Sequence, residues 1–170
     1  IELNSKVELA SAMRTKGQNE DALFIFEQMR DENKYSDSFD KIDLETGITL
    51  YALERVEESI ELLMKVDTTY GTSINSGIAK FKLGEIFEFN FRNFDSASYY
   101  YNKSANSTAP IEYSKPAAEK AKLFKKYQAL HKNIIDLKKQ LNYLENPDEF
   151  LKDSIAFYSD TLSNEDQKVN

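Results

Sequence analysis

An all-α fold is predicted for this chain of 170 residues from three observations. Residues that interrupt helices are scarce: there are 5 Gly and 3 Pro, and no Pro precedes Pro110. Apolar residues recur at steps of three and four along most of the sequence, which is the spacing of one helix face. These apolar segments also come in pairs joined by short polar stretches, so we expect helical hairpins.

The first pair is predicted over about residues 3–36. Its first apolar series stops before the stretch TKGQNED, which contains Gly17, and a second series follows. The stretch KYSDSFD is expected to connect this pair to the next, with Ser38 or Asp40 as a helix cap. The two series are Leu3, Val7, Ala10 and Met13, then Ala22, Leu23, Phe26 and Met29.

Two further pairs are predicted over residues 40–73 and 77–110, separated by the stretch DTTYGTS. Their second helices align with that of the first pair, because a small residue recurs at the same place in each. Ala22, Ser59 and Ala97 are these small residues, and a larger residue follows each of them four positions later. Such a period is the mark of a repeat protein. The larger residues are Phe26, Leu63 and Tyr101.

The repeated pattern resembles the tetratricopeptide-repeat (TPR) family, whose helix–turn–helix units carry Leu-Gly, an aromatic residue, Ala and a large aromatic in order. The third pair matches best, with Leu83-Gly84, Phe87, Ala97, Tyr101 and a closing Pro110. The connections of the repeat are longer than the family's, and in the second pair Thr46 stands where Leu is usual. The resemblance implies that Phe87, Phe94 and Tyr101 are packing residues. Five further rings are left unexplained by that scheme: Phe81, Phe89, Phe91, Tyr99 and Tyr100.

The resemblance also implies a superhelix, the TPR-like solenoid, whose first helices line a concave groove. Chaperone-tail binding is disfavoured, because Asn4, Arg14 and Lys41 do not reproduce the carboxylate clamp of that subclass. Glu85 and Glu88 would form an acidic rim beside an apolar floor. The positions carried over as groove residues are Val7, Ser11, Arg14, Leu44, Ile48, Tyr51, Phe81, Glu85, Glu88 and Phe89.

Beyond Pro110 the repeat degrades. Residues 115–145 are predicted as a degenerate fourth unit that starts at Pro116 and is either one long helix or two helices broken near HKN. A capping helix is predicted over residues 147–161, because Asn-Pro-Asp-Glu is a strong helix start. We therefore expect a single domain over residues 1–161, followed by a flexible tail over residues 162–170.

The residue types in the sequence do not indicate a catalytic site or a metal site. The chain has no Cys and a single histidine, His131, so a zinc site of the usual ligands cannot be assembled. We expect no enzyme activity, no cofactor and no metal. A net charge of -7 argues against nucleic-acid binding, although residues 103–139 hold nine Lys against three carboxylates. No apolar run reaches the length of a membrane-spanning helix, so no direct membrane insertion is expected.

The predicted function is a non-catalytic scaffold that binds a protein or peptide partner in its groove. The alternative is a self-associating structural domain, either a homodimer that buries Phe81 and Phe89 or a domain packed against other parts of a longer chain. Because the sequence begins at Ile1 rather than Met, we expect a processed protein or part of a longer one.

Overall fold

A computed structural model describes residues 2–166 of the chain and the side chains of residues 2–158. Within this range, eight α-helices and one 3-10 helix are joined by turns, and there is no β-strand. The prediction of an all-α fold is confirmed. The contacts between residues form two compact units, one ending at Lys125 and one beginning at Lys126, where a single domain was expected.

Three helical hairpins make up most of the first unit. Each helix packs on the next, and the first helices of successive hairpins also contact one another, α1 with α3 and α3 with α5. A 3-10 helix, Asn33–Ser38, connects the first hairpin to the second. The hairpins are α1 (Glu2–Thr15) with α2 (Asn19–Asp31), α3 (Phe39–Ala52) with α4 (Val56–Thr69), and α5 (Ile74–Phe89) with α6 (Phe94–Ala105).

The turn inside each hairpin contains one residue with a left-handed backbone at the same distance from the second helix. Gly17, Glu54 and Arg92 all have a positive φ, of 82°, 61° and 49° respectively, and each lies two residues before the second helix begins. Each also precedes the small residue of its hairpin by five positions, so the turns repeat in the same register as Ala22, Ser59 and Ala97. Only the first turn uses Gly, the residue that adopts this conformation without a steric cost.

Small residues allow the two helices of a hairpin to approach closely where they cross. Ala22, Ser59 and Ala97 are completely buried. A Cβ added to Gly84 would lie 2.7 Å from the ring of Tyr101, and one added to Gly47 would lie 2.9 Å from Leu63. Real Cβ atoms do not come this close, so a larger residue at either crossing would force the facing side chain to move. Two seryl hydroxyls form hydrogen bonds between the two helices of a hairpin. Ser59 donates to the carbonyl of Gly47, at 2.7 Å, and Ser104 donates to that of Gly77, at 2.9 Å.

Buried carboxylates tie neighbouring helices together. Asp43, which is 3 % exposed, accepts from Arg30 Nε at 2.8 Å and from the hydroxyl of Tyr70 at 3.2 Å. Asp67 pairs with both Lys80 and Lys103, each at 3.0 Å. A buried charge is tolerated only with such partners, so these contacts constrain which helices can be neighbours.

Helix α7 is a single helix, Ile111–Glu145, which resolves the alternative that the sequence left open. It begins before Pro116, the predicted start, because the carbonyl of Pro110 already accepts from the amides of Tyr113 and Ser114. Pro116 then removes only one backbone donor from the helix. No Gly or Pro interrupts the stretch HKN, and the helix continues through it.

The second unit consists of the later part of α7 and helix α8, Pro147–Asp166. Helix α8 continues through residues 162–166, which were predicted as tail, because no Gly or Pro follows Pro147. Residues 167–170 of that predicted tail lie outside the described residues. From Lys125 to Tyr158 no side chain is buried, which explains why this part forms a unit of its own.

We expect Arg92→Gly to stabilise the protein by about 1 kcal/mol, because Gly removes the cost of a left-handed conformation at an exposed turn. Urea unfolding of the two proteins would measure the difference. As a control, Glu61→Gly on the exposed face of α4 should have the opposite sign, a loss of about 1 kcal/mol. A loss of stability in both variants would contradict the repeated turn geometry.

Candidate binding groove

The ten predicted groove residues all lie on the first helices of the three hairpins, α1, α3 and α5. These helices contact one another in order, α1 with α3 and α3 with α5, and so form a row of helices. Three of them are core side chains: Val7 is 3 % exposed, Leu44 2 % and Phe81 7 %. They are buried because the faces of α1, α3 and α5 that carry them pack against neighbouring helices.

At the α1 end of the row, polar side chains bind one another. Arg14 donates to the Glu45 carboxylate at 2.7 Å, to the Glu45 carbonyl at 3.1 Å and to the hydroxyl of Thr49 at 2.9 Å. Ser11 donates to the same carboxylate at 3.2 Å. Arg14 and Ser11 therefore join α1 to α3.

A small pocket of about 50 Å³ lies where α3, α4 and α5 meet. Three of the predicted groove residues, Ile48, Tyr51 and Glu85, contribute to its wall. The hydroxyl of Tyr51 donates to Asn90 at 2.7 Å, and Glu85 accepts from Lys82 at 2.7 Å. The pocket is thus an apolar depression with polar groups that are held in place around it. Its walls are completed by Leu63, Lys82 and Ile86.

Glu88 belongs to a charge cluster that the sequence did not predict. Its Oε2 atom accepts from the hydroxyl of Tyr101 at 2.6 Å and from Lys120 Nζ at 2.5 Å. Burial, followed by the hydrogen bond to Glu88 and its negative charge, raises the pKa of Tyr101 far above its usual value. Lys120 lies 32 positions from Glu88 in the sequence, so no local spacing indicates this pair.

The aromatic residues divide into core and surface groups. Phe81 contacts Tyr101 and Tyr113 edge-on, with ring centroids 5.5 Å apart in both pairs, and is a core residue. Phe89 is 62 % exposed at the end of α5, and Lys120 Nζ lies 5.0 Å from the centre of its ring. Phe89 is therefore the most accessible apolar side chain among the predicted groove residues.

A second aromatic group covers the α5–α6 end of the third hairpin. Phe87 stacks on Tyr100 with centroids 5.5 Å apart, and it also contacts Phe91 at 5.8 Å. Tyr99 meets Tyr100 edge-on at 5.1 Å and is 57 % exposed. This contact series accounts for Phe91, Tyr99 and Tyr100, three of the five rings that the repeat pattern did not explain.

A cavity of about 560 Å³ lies on a different part of the first unit, and the sequence did not indicate it. Two of its lining residues, Lys80 and Lys103, share the carboxylate of Asp67. The hydrogen bond from Lys103 to Asp67 raises the pKa of the Lys103 ammonium. No spacing rule marks this cavity, because its residues come from two connections and two helices. The remaining lining residues are Gly71, Thr72, Asn102, Asn106, Ser107 and Thr108.

In the described residues, His, Asp and Glu form no cluster of three or more that could hold a metal ion. None of the helices within residues 2–166 combines the length and the apolar character that a membrane span requires.

Comparison with protein-family models, with curated protein sequences and with solved structures finds no match to this chain.

We expect Tyr101→Phe to lower the free energy of unfolding by about 1.5 kcal/mol, because it removes a buried hydrogen bond to a charged group. Equilibrium urea unfolding followed by circular dichroism would measure the change. Tyr99→Phe is the control. Tyr99 is exposed, so removing its hydroxyl should change the free energy of unfolding by less than about 0.5 kcal/mol. Equal effects in the two variants would contradict the role of the Glu88 cluster.

Proposed function

We propose that the first unit is a non-catalytic protein-interaction module of the TPR type. It would bind a short helix or peptide along the row formed by α1, α3 and α5. The observation that carries the proposal is that the first helices of three successive hairpins contact one another in order. Such a stack makes a continuous surface that one extended or helical segment can follow.

The repeated local geometry supports the assignment to stacked units. Turns at Gly17, Glu54 and Arg92 share a left-handed residue at the same register position. Each hairpin crosses at small buried residues, as at Gly47 and Gly84. Repeating both features gives successive hairpins similar shapes, and similar shapes stacked in sequence generate a superhelix with a concave side.

The chemistry of the surface favours a partner with apolar anchors rather than a strongly charged one. Glu85 is already paired with Lys82, and Glu88 with Lys120, so the acidic rim is neutralised within the chain. What remains accessible is the exposed ring of Phe89 and the depression beside Ile48 and Tyr51. Aromatic and aliphatic anchors placed in such depressions carry most of the binding energy at protein interfaces.

The alternative function, a homodimer through Phe81 and Phe89, has less support. Phe81 is 7 % exposed and is enclosed by Tyr101 and Tyr113, so only Phe89 of the two rings could meet a second copy. A single exposed ring provides little of the area that a stable interface needs.

The proposal is tested by selecting peptide ligands for the chain from a displayed random library and measuring their affinity. Phe89→Asp should weaken the selected peptides by at least about tenfold, because it places a charge at the apolar anchor. Phe24→Asp is a matched control: Phe24 is 59 % exposed on α2, a second helix, whereas Phe89 is 62 % exposed. Equal weakening by both variants, or no selectable peptide, would contradict the groove.

A further inference from the structure

Helix α7 carries an apolar seam in the second unit. Within residues 127–144, apolar residues alternate at steps of three and four, which gives three heptads with positions a and d filled throughout. This period of 3.5 residues is that of a coiled-coil seam rather than of a helix lying on a globular core. The seam residues are Tyr127, Leu130, Ile134, Leu137, Leu141 and Leu144.

The seam is exposed along its full length. Its least exposed member, Tyr127, is 46 % accessible, and Leu144 is 80 % accessible. Where described side chains of α8 form hydrogen bonds or ion pairs with α7, they reach Lys139, Asn142 and Tyr143. These three residues occupy heptad positions f, b and c, on the side of the helix away from positions a and d.

We propose that the seam pairs with the seam of a second copy of this chain in a parallel two-stranded coiled coil. Position d is Leu in all three heptads, and position a of the middle heptad is the β-branched Ile134. In a parallel coiled coil, a β-branched residue at position a with Leu at position d favours two strands. The inference does not rest on the proposed groove, since all six seam residues lie outside the first unit.

The exposed area is sufficient for a dimer. At roughly 100 Å² of accessible surface for each of six seam residues, two copies would bury on the order of 1,200 Å², the lower bound for stable interfaces. Without a partner, the seam would leave its large apolar side chains in water, an unusual arrangement for a helix of this length.

Charge at the edges of the seam distinguishes a second copy from an acidic partner helix. The flanking positions e and g hold Lys126, His131, Asn133, Lys138, Gln140 and Glu145. Only two of these six are Lys, and in a parallel pair no Lys would face another Lys across the seam, because Lys126 meets His131 and Lys138 meets Asn133. A seam made for an acidic helix would place more of its cations there. Lys132 and Lys139 instead lie at position f, away from the seam.

The test is the mass of the 170-residue chain in solution, by sedimentation equilibrium over a concentration series. The proposal predicts twice the monomer mass of 19.6 kDa at the upper concentrations. Two adjacent isoleucines form a matched pair for substitution, because Ile134 is 50 % exposed at position a and Ile135 is 51 % exposed at position b. Ile134→Glu should yield a monomer, and Ile135→Glu should leave the dimer intact.

Three outcomes would overturn the proposal: a monomer at every concentration, a dimer that survives Ile134→Glu, or equal dissociation by both substitutions. Neither residue contributes to the core of the first unit, so both variants should keep the near-UV bands that arise from that core.

Strand order is tested separately by cross-linking, which is unambiguous because the chain has no Cys. In a parallel pair each position d faces the same residue of the other copy, so Leu130→Cys and Leu144→Cys should both form intermolecular disulfides on mild oxidation. Ile135→Cys, outside the seam, should not. Failure of both seam cysteines to cross-link would exclude the parallel arrangement.

Discussion

The fold of the first unit depends on how closely the two helices of each hairpin approach. At Gly84 the backbone of α5 lies against the ring of Tyr101, and at Gly47 the backbone of α3 lies against Leu63, with no room for a Cβ at either position. Close packing of this kind sets the crossing angle and the distance between the helices. The large side chain that fills each crossing is completely buried, and so it also forms part of the core into which the next helix packs.

The same constraint connects the fold to the proposed activity. Because each hairpin closes at its own crossing, the first helices are left to contact one another across hairpins, and they form the row that holds the candidate groove. Phe124 is the last buried side chain among those described, which extend to Tyr158. From there to Tyr158 the chain keeps helical periodicity but its described side chains form no core, and an amphipathic helix without a core depends on contacts with another surface.

The helices and their crossings could be predicted from the sequence because they depend on local spacing. The register of Ala22, Ser59 and Ala97 follows from counting residues, and all three are buried. The groove was harder to predict, because accessibility depends on packing between hairpins: Phe81 and Phe89 are equally aromatic, yet only Phe89 is exposed. Pairing between Glu88 and Lys120 joins distant positions and leaves no local signal.

The account is tested most directly by nuclear Overhauser spectroscopy at the third crossing. The α protons of Gly84 should show strong cross-peaks to the ring protons of Tyr101 and should be shifted by its ring current, because backbone and ring are in van der Waals contact. Weaker but clear cross-peaks should join Gly47 to the methyl groups of Leu63. An unshifted Gly84 without cross-peaks to Tyr101 would show that the helices do not cross at these residues, and the stacked-hairpin architecture would then be wrong.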